Sequence, residues 1–134
     1  MMKSAVVTLL ALMSWNSAVH AQQEPPPAVR EHQGVRYLTG GIGEEERAAI
    51  LAFAADFNLK LLFAEKGGAY LADVTVIVTG ADARKVLELD AGGPLVLARL
   101  PAGDYRIAAT AGGREQVRKA SVPATGQRTL VFYW

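Results

Sequence analysis

The sequence contains no cysteine, which excludes a disulfide framework, a cysteine nucleophile and a zinc site with thiolate ligands. Histidine and serine are also scarce: after residue 21 there is one of each, His32 and Ser121. A Ser-His-Asp hydrolase would need both to meet beside an acid, yet neither lies in a motif that resembles a nucleophile turn. We therefore expect His32 to be solvated and the protein not to be an enzyme.

The chain also lacks an excess of charge of either sign. It carries 14 basic and 13 acidic residues, with no basic block. Nucleic acid and anionic membrane surfaces are therefore not expected as partners. The acids leave one alternative, a carboxylate-dependent hydrolase that would use Asp73, Asp82, Asp90 or Asp104. All four lie where turns and strand ends ordinarily carry aspartate, so we predict no catalytic residue, no metal site and no cofactor.

A long apolar run occurs only at the N-terminus. Residues 1–21 combine the positive Lys3, an apolar stretch over residues 5–13 and a small-residue site that ends at Ala21. This pattern predicts a cleavable signal peptide, cut after Ala21, because a membrane span would need about 20 apolar residues. No cysteine follows, so a lipoprotein anchor is not expected. Export without disulfides favours a bacterial periplasm, with secretion as the alternative.

The remaining 113 residues are enough for one domain. Residues 22–34 are polar and contain three consecutive prolines, which predicts an extended tether. Residues 35–66 are predicted to form a strand–turn–helix–strand element. Its helix carries an apolar stripe at positions i, i+3, i+4 and i+7, and we expect this stripe to pack on the β-domain that follows. The stripe consists of Ile50, Phe53, Ala54 and Phe57.

The stretch TGGIGEEERAAI, residues 39–50, raises the question of a phosphate-binding loop. Gly41 and Gly43 match only the first half of the G-x-G-x-x-G fingerprint, because Glu46 occupies the third glycine position. Three consecutive glutamates begin the helix, where they complement the helix dipole and repel a phosphate. Their side chains also diverge, whereas a divalent cation needs converging oxygens. We interpret Gly41 and Gly43 as a structural turn.

From Tyr70 onward the apolar period changes to two, as the alternating valines of YLADVTVIVTG illustrate. Glycine-rich turn signals then recur about every 8–12 residues, a cadence that predicts an antiparallel β-sandwich of about seven strands. The run 114–119 is charged on both faces, which is typical of an edge strand. The predicted core consists of Val74, Val76, Val78, Leu97, Tyr105, Ile107, Leu130 and Phe132.

The phrases GAYLADVTVIVTG and DAGGPLVLARLPAGDYRIAA resemble carboxypeptidase regulatory-like modules, which are transthyretin-like β-sandwiches. The likeness is strongest in LPAGDYRI, where Pro101 and Gly103 suit positions i+1 and i+3 of a type I turn. A tyrosine commonly braces this corner in such modules, and the resemblance gives that structural role to Tyr105. The resemblance covers residues 67–134. It implies a mainly β, antiparallel transthyretin/prealbumin-like sandwich, preceded by the small strand–helix–strand element of residues 35–66.

With the upstream YLTGGIGEEE block, the chain resembles small exported proteobacterial proteins of this type. Such modules serve as appendages, interaction domains or carbohydrate-binding folds. Related hydrolases use histidines and a C-terminal Tyr-Arg-Gly-Ser that this chain lacks. The resemblance thus implies a non-enzymatic periplasmic accessory module that binds an envelope protein or a glycan. The alternative is a carbohydrate-binding module that uses Tyr133 and Trp134; whether Trp134 belongs to the core stays open at this point.

Overall fold

The computed structural model describes residues 28–134 and is mainly β, as the sequence predicts. The predicted signal peptide and the first part of the predicted tether, residues 22–27, lie outside the described residues. The elements are β1 Arg30–His32, β2 Val35–Gly40, α1 Glu44–Leu51, a 3₁₀ helix Ala54–Asp56, β3 Leu59–Ala64, β4 Val74–Gly80, β5 Lys85–Ala91, β6 Leu95–Arg99, β7 Gly103–Ala111, β8 Arg114–Val122 and β9 Arg128–Tyr133. Within residues 28–134 no helix is long and apolar enough to cross a membrane.

The strands form two sheets that share one core. The first has the order β1-β2-β6-β3-β9 and the second the order β5-β4-β7-β8. All neighbouring strands are antiparallel except β3 and β9, which pair in parallel. Because side chains alternate along each strand, every strand except β1 gives one apolar face to the layer between the sheets. Leu61 and Phe63 reach this layer from the first sheet, and Val76 and Ile107 from the second.

The predicted division of the chain at residue 66 does not correspond to the architecture. β2 and β3 both pair with β6, so the strands of residues 35–66 lie inside the first sheet rather than in front of it. The predicted tether also ends too late, because β1 and β2 form a hairpin with positive φ at Gln33 and Gly34. His32 therefore lies in a strand and is half-buried, which contradicts its predicted solvation.

The helical stripe is only partly correct. α1 ends at Leu51, and the chain continues through the short 3₁₀ helix before it enters β3. Ile50 and Phe57 are both buried on the outer face of the first sheet, against Leu38 and Leu97. Phe53 lies in the connection between the two helices and is 36% exposed, so it does not pack as predicted. Ile50 and Phe57 thus pack in the same cluster although the helix ends between them.

All eight predicted core residues are buried. Seven of them lie between the sheets, whereas Leu97 belongs to the smaller cluster beneath α1 on the opposite face. The end of the main core is aromatic: the ring of Phe63 lies 5.9 Å from that of Phe132 and 6.1 Å from that of Trp134. Such tilted and edge contacts are favourable beyond the apolar area that they bury.

The predicted edge strand is confirmed, because β8 forms one edge of the second sheet. Its side chains also cover the free edge of β9. Arg118 donates a hydrogen bond to the Val131 carbonyl at 2.9 Å, and Gln116 donates one to the Tyr133 carbonyl. These bonds occupy carbonyls that an additional strand would otherwise use, which protects the side of the sandwich formed by β8 and β9 from edge-to-edge pairing.

Candidate functional site

A concave surface lies on the second sheet, at the end where β4 turns into β5. It is an open cavity of about 830 Å³, and the β4–β5 turn, including Ala81, forms one wall. Its remaining lining comes from β4, β7 and β8 of the second sheet, including the core residues Tyr105 and Ala120, and from Arg128 at the start of β9 in the first sheet. Its polar lining consists of Thr79, Asp104, Arg106, Lys119, Ser121 and Arg128. The volume falls within the range of about 300–1,000 Å³ that is typical of small-molecule sites.

Alternation along the strands explains why polar side chains collect here. Ile107 and Ala120 point into the core, so their neighbours Arg106 and Lys119 point outward. The register then places Thr79 opposite Arg106, and Arg106 opposite Lys119, in one row across β4, β7 and β8. We call Thr79, Arg106 and Lys119 the cavity row. It runs across three neighbouring strands, which span about 10 Å.

The cavity carries an excess of positive charge. Arg106, Lys119 and Arg128 contribute three cations, against the single carboxylate of Asp104. That carboxylate already accepts a hydrogen bond from the Ser121 hydroxyl. Within residues 28–134, none of the three cations lies in an ion pair with an acid. Their donor groups therefore remain available to a ligand.

The glycine loop before α1 is occupied by the protein itself. The Gly41 amide donates a hydrogen bond to Glu46 Oε1 at 3.0 Å, and the Arg47 guanidinium donates one to the Gly41 carbonyl at 3.1 Å. Gly41 and Gly43 have φ values of 99° and 89°, which glycine adopts without the steric cost of a Cβ. The carboxylate of Glu46 thus accepts the hydrogen bond from the Gly41 amide that a bound phosphate would otherwise accept.

The Pro101–Tyr105 segment connects the first sheet to the second. The Tyr105 hydroxyl donates a hydrogen bond to the Pro101 carbonyl at 2.6 Å, so this side chain bridges the connection. Burial, with a smaller effect of the Asp82 carboxylate, raises the pKa of Tyr105 and keeps its hydroxyl protonated as a donor. Gly103 has a φ of 159°, which residues with a Cβ rarely adopt, so glycine suits this position.

The two predicted binding aromatics have opposite environments. Trp134 is 8% exposed, and its indole nitrogen donates a hydrogen bond to the Arg114 carbonyl at 3.0 Å. It is therefore a core residue, because strand alternation turns it inward beside Phe132, and its ring is not exposed as a sugar platform would require. Tyr133 is 52% exposed on the opposite face.

Tyr133 has an aromatic neighbour that sequence reasoning missed. Ala64 pairs with Tyr133 on one side and with Tyr70 on the other, so both tyrosines share its face of the sheet. Tyr70 is also 52% exposed, and the Arg47 guanidinium lies 4.6 Å from the centre of its ring. Two tyrosines thus flank a small residue, with about 10 Å between their Cα atoms. We call them the tyrosine pair.

The groups considered for catalysis are dispersed. His32 lies in β1, at the edge of the first sheet near β5, whereas Ser121 lies in β8, at the far edge of the second. The side-chain oxygens of Asp82, Asp90 and Asp104 accept hydrogen bonds from nearby groups of their own sheet. No group of three or more acidic or histidine side chains suited to a metal ion occurs in the described part of the chain.

The sequence analysis missed the cavity row, although a turn motif in the sequence predicts part of it, the pairing of Arg106 with Lys119. Gly112 and Gly113 form a two-residue hairpin turn with positive φ at both positions, the geometry that glycine pairs favour. This turn pairs Ala111 with Arg114 and thereby fixes Arg106 opposite Lys119. The position of Thr79 on the other side of Arg106 depends instead on long-range pairing of β4 with β7.

No protein-family model matches the chain, and no curated protein matches it either. The function must therefore be inferred from the geometry of the site.

Proposed function

We propose that the protein is an exported, non-enzymatic β-sandwich module that binds a periplasmic ligand or partner in the cavity of its second sheet. The observation that carries this proposal is the cavity row. Its cations stand in a concave site of about 830 Å³ without acidic partners among residues 28–134. Unpaired donors that converge in a cavity are typical of a binding site.

The separation of the chemical groups supports a binding role over catalysis. A nucleophile and its base must lie within hydrogen-bond reach of each other, yet His32 and Ser121 belong to opposite sides of the sandwich. Ser121 instead donates to Asp104. A carboxylate-dependent hydrolase is also disfavoured, because Asp90 lies at the opposite end of the second sheet from Asp104. Asp82 lies at the same end as Asp104, but each of these two carboxylates accepts a hydrogen bond from a neighbouring group.

The finer fold and the location form part of the same proposal. The resemblance to carboxypeptidase regulatory-like, transthyretin-like modules is supported by the two-sheet architecture and by the bond from Tyr105 to Pro101. Cleavage after Ala21 would release the mature chain into the periplasm, where folding without disulfides is possible. The integration of residues 35–64 into the first sheet means that one domain performs the binding.

In-cell photocrosslinking tests the binding proposal. A photoreactive residue at Ala81, in the cavity wall, is expected to give a specific adduct in cells that export the protein. The matched control is Ala55, an alanine in the 3₁₀ helix that is also exposed and lies outside the cavity. Intact mass spectrometry would detect either a protein adduct or a small ligand, and would show whether the chain begins at Gln22. The absence of an Ala81 adduct, or an equal yield from Ala55, contradicts the proposal.

The tyrosine pair favours a second candidate function, carbohydrate binding. The apolar face of a sugar ring packs on an exposed aromatic face, and Tyr70 and Tyr133 offer two such faces beside the small Ala64. In this version of the alternative, Tyr70 takes the place that the sequence suggested for Trp134.

Calorimetric titration with envelope oligosaccharides distinguishes this candidate. Tyr133→Ala should abolish binding, whereas Tyr133→Phe should retain most of it, because phenylalanine preserves the ring and loses only the hydroxyl. Binding that is insensitive to both variants, or absent from the wild type, would exclude the tyrosine pair as a sugar platform.

A further inference from the structure

The cavity row contains an electrostatic conflict. Arg106 and Lys119 lie directly opposite each other on neighbouring strands and point to the same face. Like charges in this arrangement repel and destabilise a sheet. Neither cation forms an ion pair within residues 28–134, where the ion pairs are those of Arg84 with Asp82 and of Lys85 with Glu88.

A like-charged pair alone does not define a site, and the first sheet provides the comparison. Arg36 lies opposite Arg99 on β2 and β6, and both side chains are exposed. Arg99 borders a smaller cavity of about 350 Å³ in which it is the one cation, whereas Arg106 and Lys119 share theirs with Arg128 and the hydroxyl of Thr79. The cavity on the second sheet therefore combines repulsion with concavity and with a third cation, Arg128 of β9 in the first sheet.

The chemistry of the donors specifies what relieves the repulsion. Arginine offers a planar fork of N–H donors that matches two oxygens of a carboxylate or phosphate, and lysine adds a compact point charge. A threonine hydroxyl also donates to such oxygens. The one cavity carboxylate, Asp104, is engaged by Ser121. The side chains that remain are therefore suited to an anionic oxygen ligand.

We propose that the cavity binds an oxyanion, a phosphate or carboxylate group carried by a larger organic ligand, between Arg106, Lys119 and Arg128. This inference rests on the proposed function and assigns a ligand class to the same site. The volume of about 830 Å³ exceeds what a single inorganic ion fills, so the oxyanion serves as the anchor of a larger molecule.

Titration of the folded domain with inorganic phosphate tests the anchor directly. Phosphate, at constant ionic strength and against chloride, should shift the backbone amide resonances of residues 79–81, 104–106 and 119–121. Acetate provides a second arm: larger shifts with phosphate identify a phosphate group, and larger shifts with acetate identify a carboxylate. If neither anion shifts these resonances more than chloride does, the oxyanion proposal is wrong.

Matched variants separate a site from general charge. Arg106→Ala should weaken binding of the effective anion by about tenfold, which corresponds to the loss of charge-assisted hydrogen bonds. Arg36→Ala removes the same charge from the like-charged pair of the first sheet and should leave the affinity unchanged. Equal weakening in both variants would show an adventitious response to net charge and overturn the proposal.

The anion titration and the Ala81 crosslink can fail independently, so they test the oxyanion inference and the binding function separately. If the Ala81 adduct forms while both anions fail, the cavity binds a ligand of another chemical class, and only the oxyanion inference is lost. If the adduct and the anion response are both absent, the proposed function fails as well.

Discussion

Gly93→Ala should destabilise the protein by about 3 kcal/mol, at the upper end of the effects of overpacking. Gly93 lies in the turn between β5 and β6 and presses on the end of β2. A Cβ at this position would lie closer than 3.0 Å to three backbone atoms of Gly40. Backbone cannot rotate away as a flexible side chain can, so the turn or the end of β2 must move. For a domain of this size, the expected fall in Tm is about 12 °C or more.

The adjacent glycine supplies the control. A Cβ at Gly92 would meet no atom within 4 Å, and its φ lies outside the left-handed region. Gly92→Ala should therefore change the stability by less than about 0.5 kcal/mol. Thermal unfolding followed by circular dichroism distinguishes the two variants. Similar melting temperatures for both would contradict the close approach of this turn to β2.

Asn58→Ala should have a comparable or larger effect, a loss of about 4 kcal/mol. The Asn58 side chain is 1% exposed and joins three parts of the sandwich. Its amide nitrogen donates to the carbonyls of Leu100 and Pro123 at 2.6 and 3.0 Å, and its oxygen accepts from the Leu100 amide at 2.9 Å. Alanine would leave these backbone groups without partners in a buried site, where each costs about 1–3 kcal/mol. Urea unfolding measures the loss.

Gln127 tests whether burial is the reason. Its side-chain amide also donates to two backbone carbonyls, those of Ala54 and Phe57, at 2.8 and 3.2 Å. Gln127 is exposed, so water can replace it, and Gln127→Ala should cost only about 0.5–1 kcal/mol. A cost for Asn58→Ala as small as that for Gln127→Ala would contradict the role of Asn58 as a buried link between strands.

Much of the strand layout could be predicted from local sequence. The alternating valines of β4 point inward as predicted, because period-two patterning is a property of the chain itself. The position of β8 at an edge followed from charge on both faces of its sequence. The turn at Gly112 and Gly113 even determines which cations face each other, since a two-residue hairpin leaves no freedom of register.

The arrangement of distant strands could not be predicted in this way. β3 pairs in parallel with β9, almost 70 residues later, and no local pattern encodes such a partner. The helix through Phe57 was predicted from spacing alone, yet Ile50 and Phe57 reach the same cluster from two separate segments. Trp134 illustrates the same limit, because its burial depends on Phe63 and on the carbonyl of Arg114.

The cavity was missed because it depends on three strands at once. Thr79, Arg106 and Lys119 are unremarkable as single residues, and only the pairing of β4, β7 and β8 brings them into one row. If the cavity row serves to bind a ligand, the repulsion between Arg106 and Lys119 lowers the stability of the free protein, and binding of the ligand offsets this loss. Functional sites often carry such a conflict between stability and activity.

The melting temperature of Lys119→Thr, measured with and without whichever of phosphate and acetate shifts the cavity resonances more, tests this claim most directly. Threonine removes the repulsion with Arg106 and favours a strand conformation. The variant should therefore melt above the wild type in chloride and gain less than the wild type when that anion is added, since a ligand stabilises only the state that binds it. A variant that melts below the wild type in chloride, or gains as much from the anion, would contradict a cavity row kept for an anionic ligand.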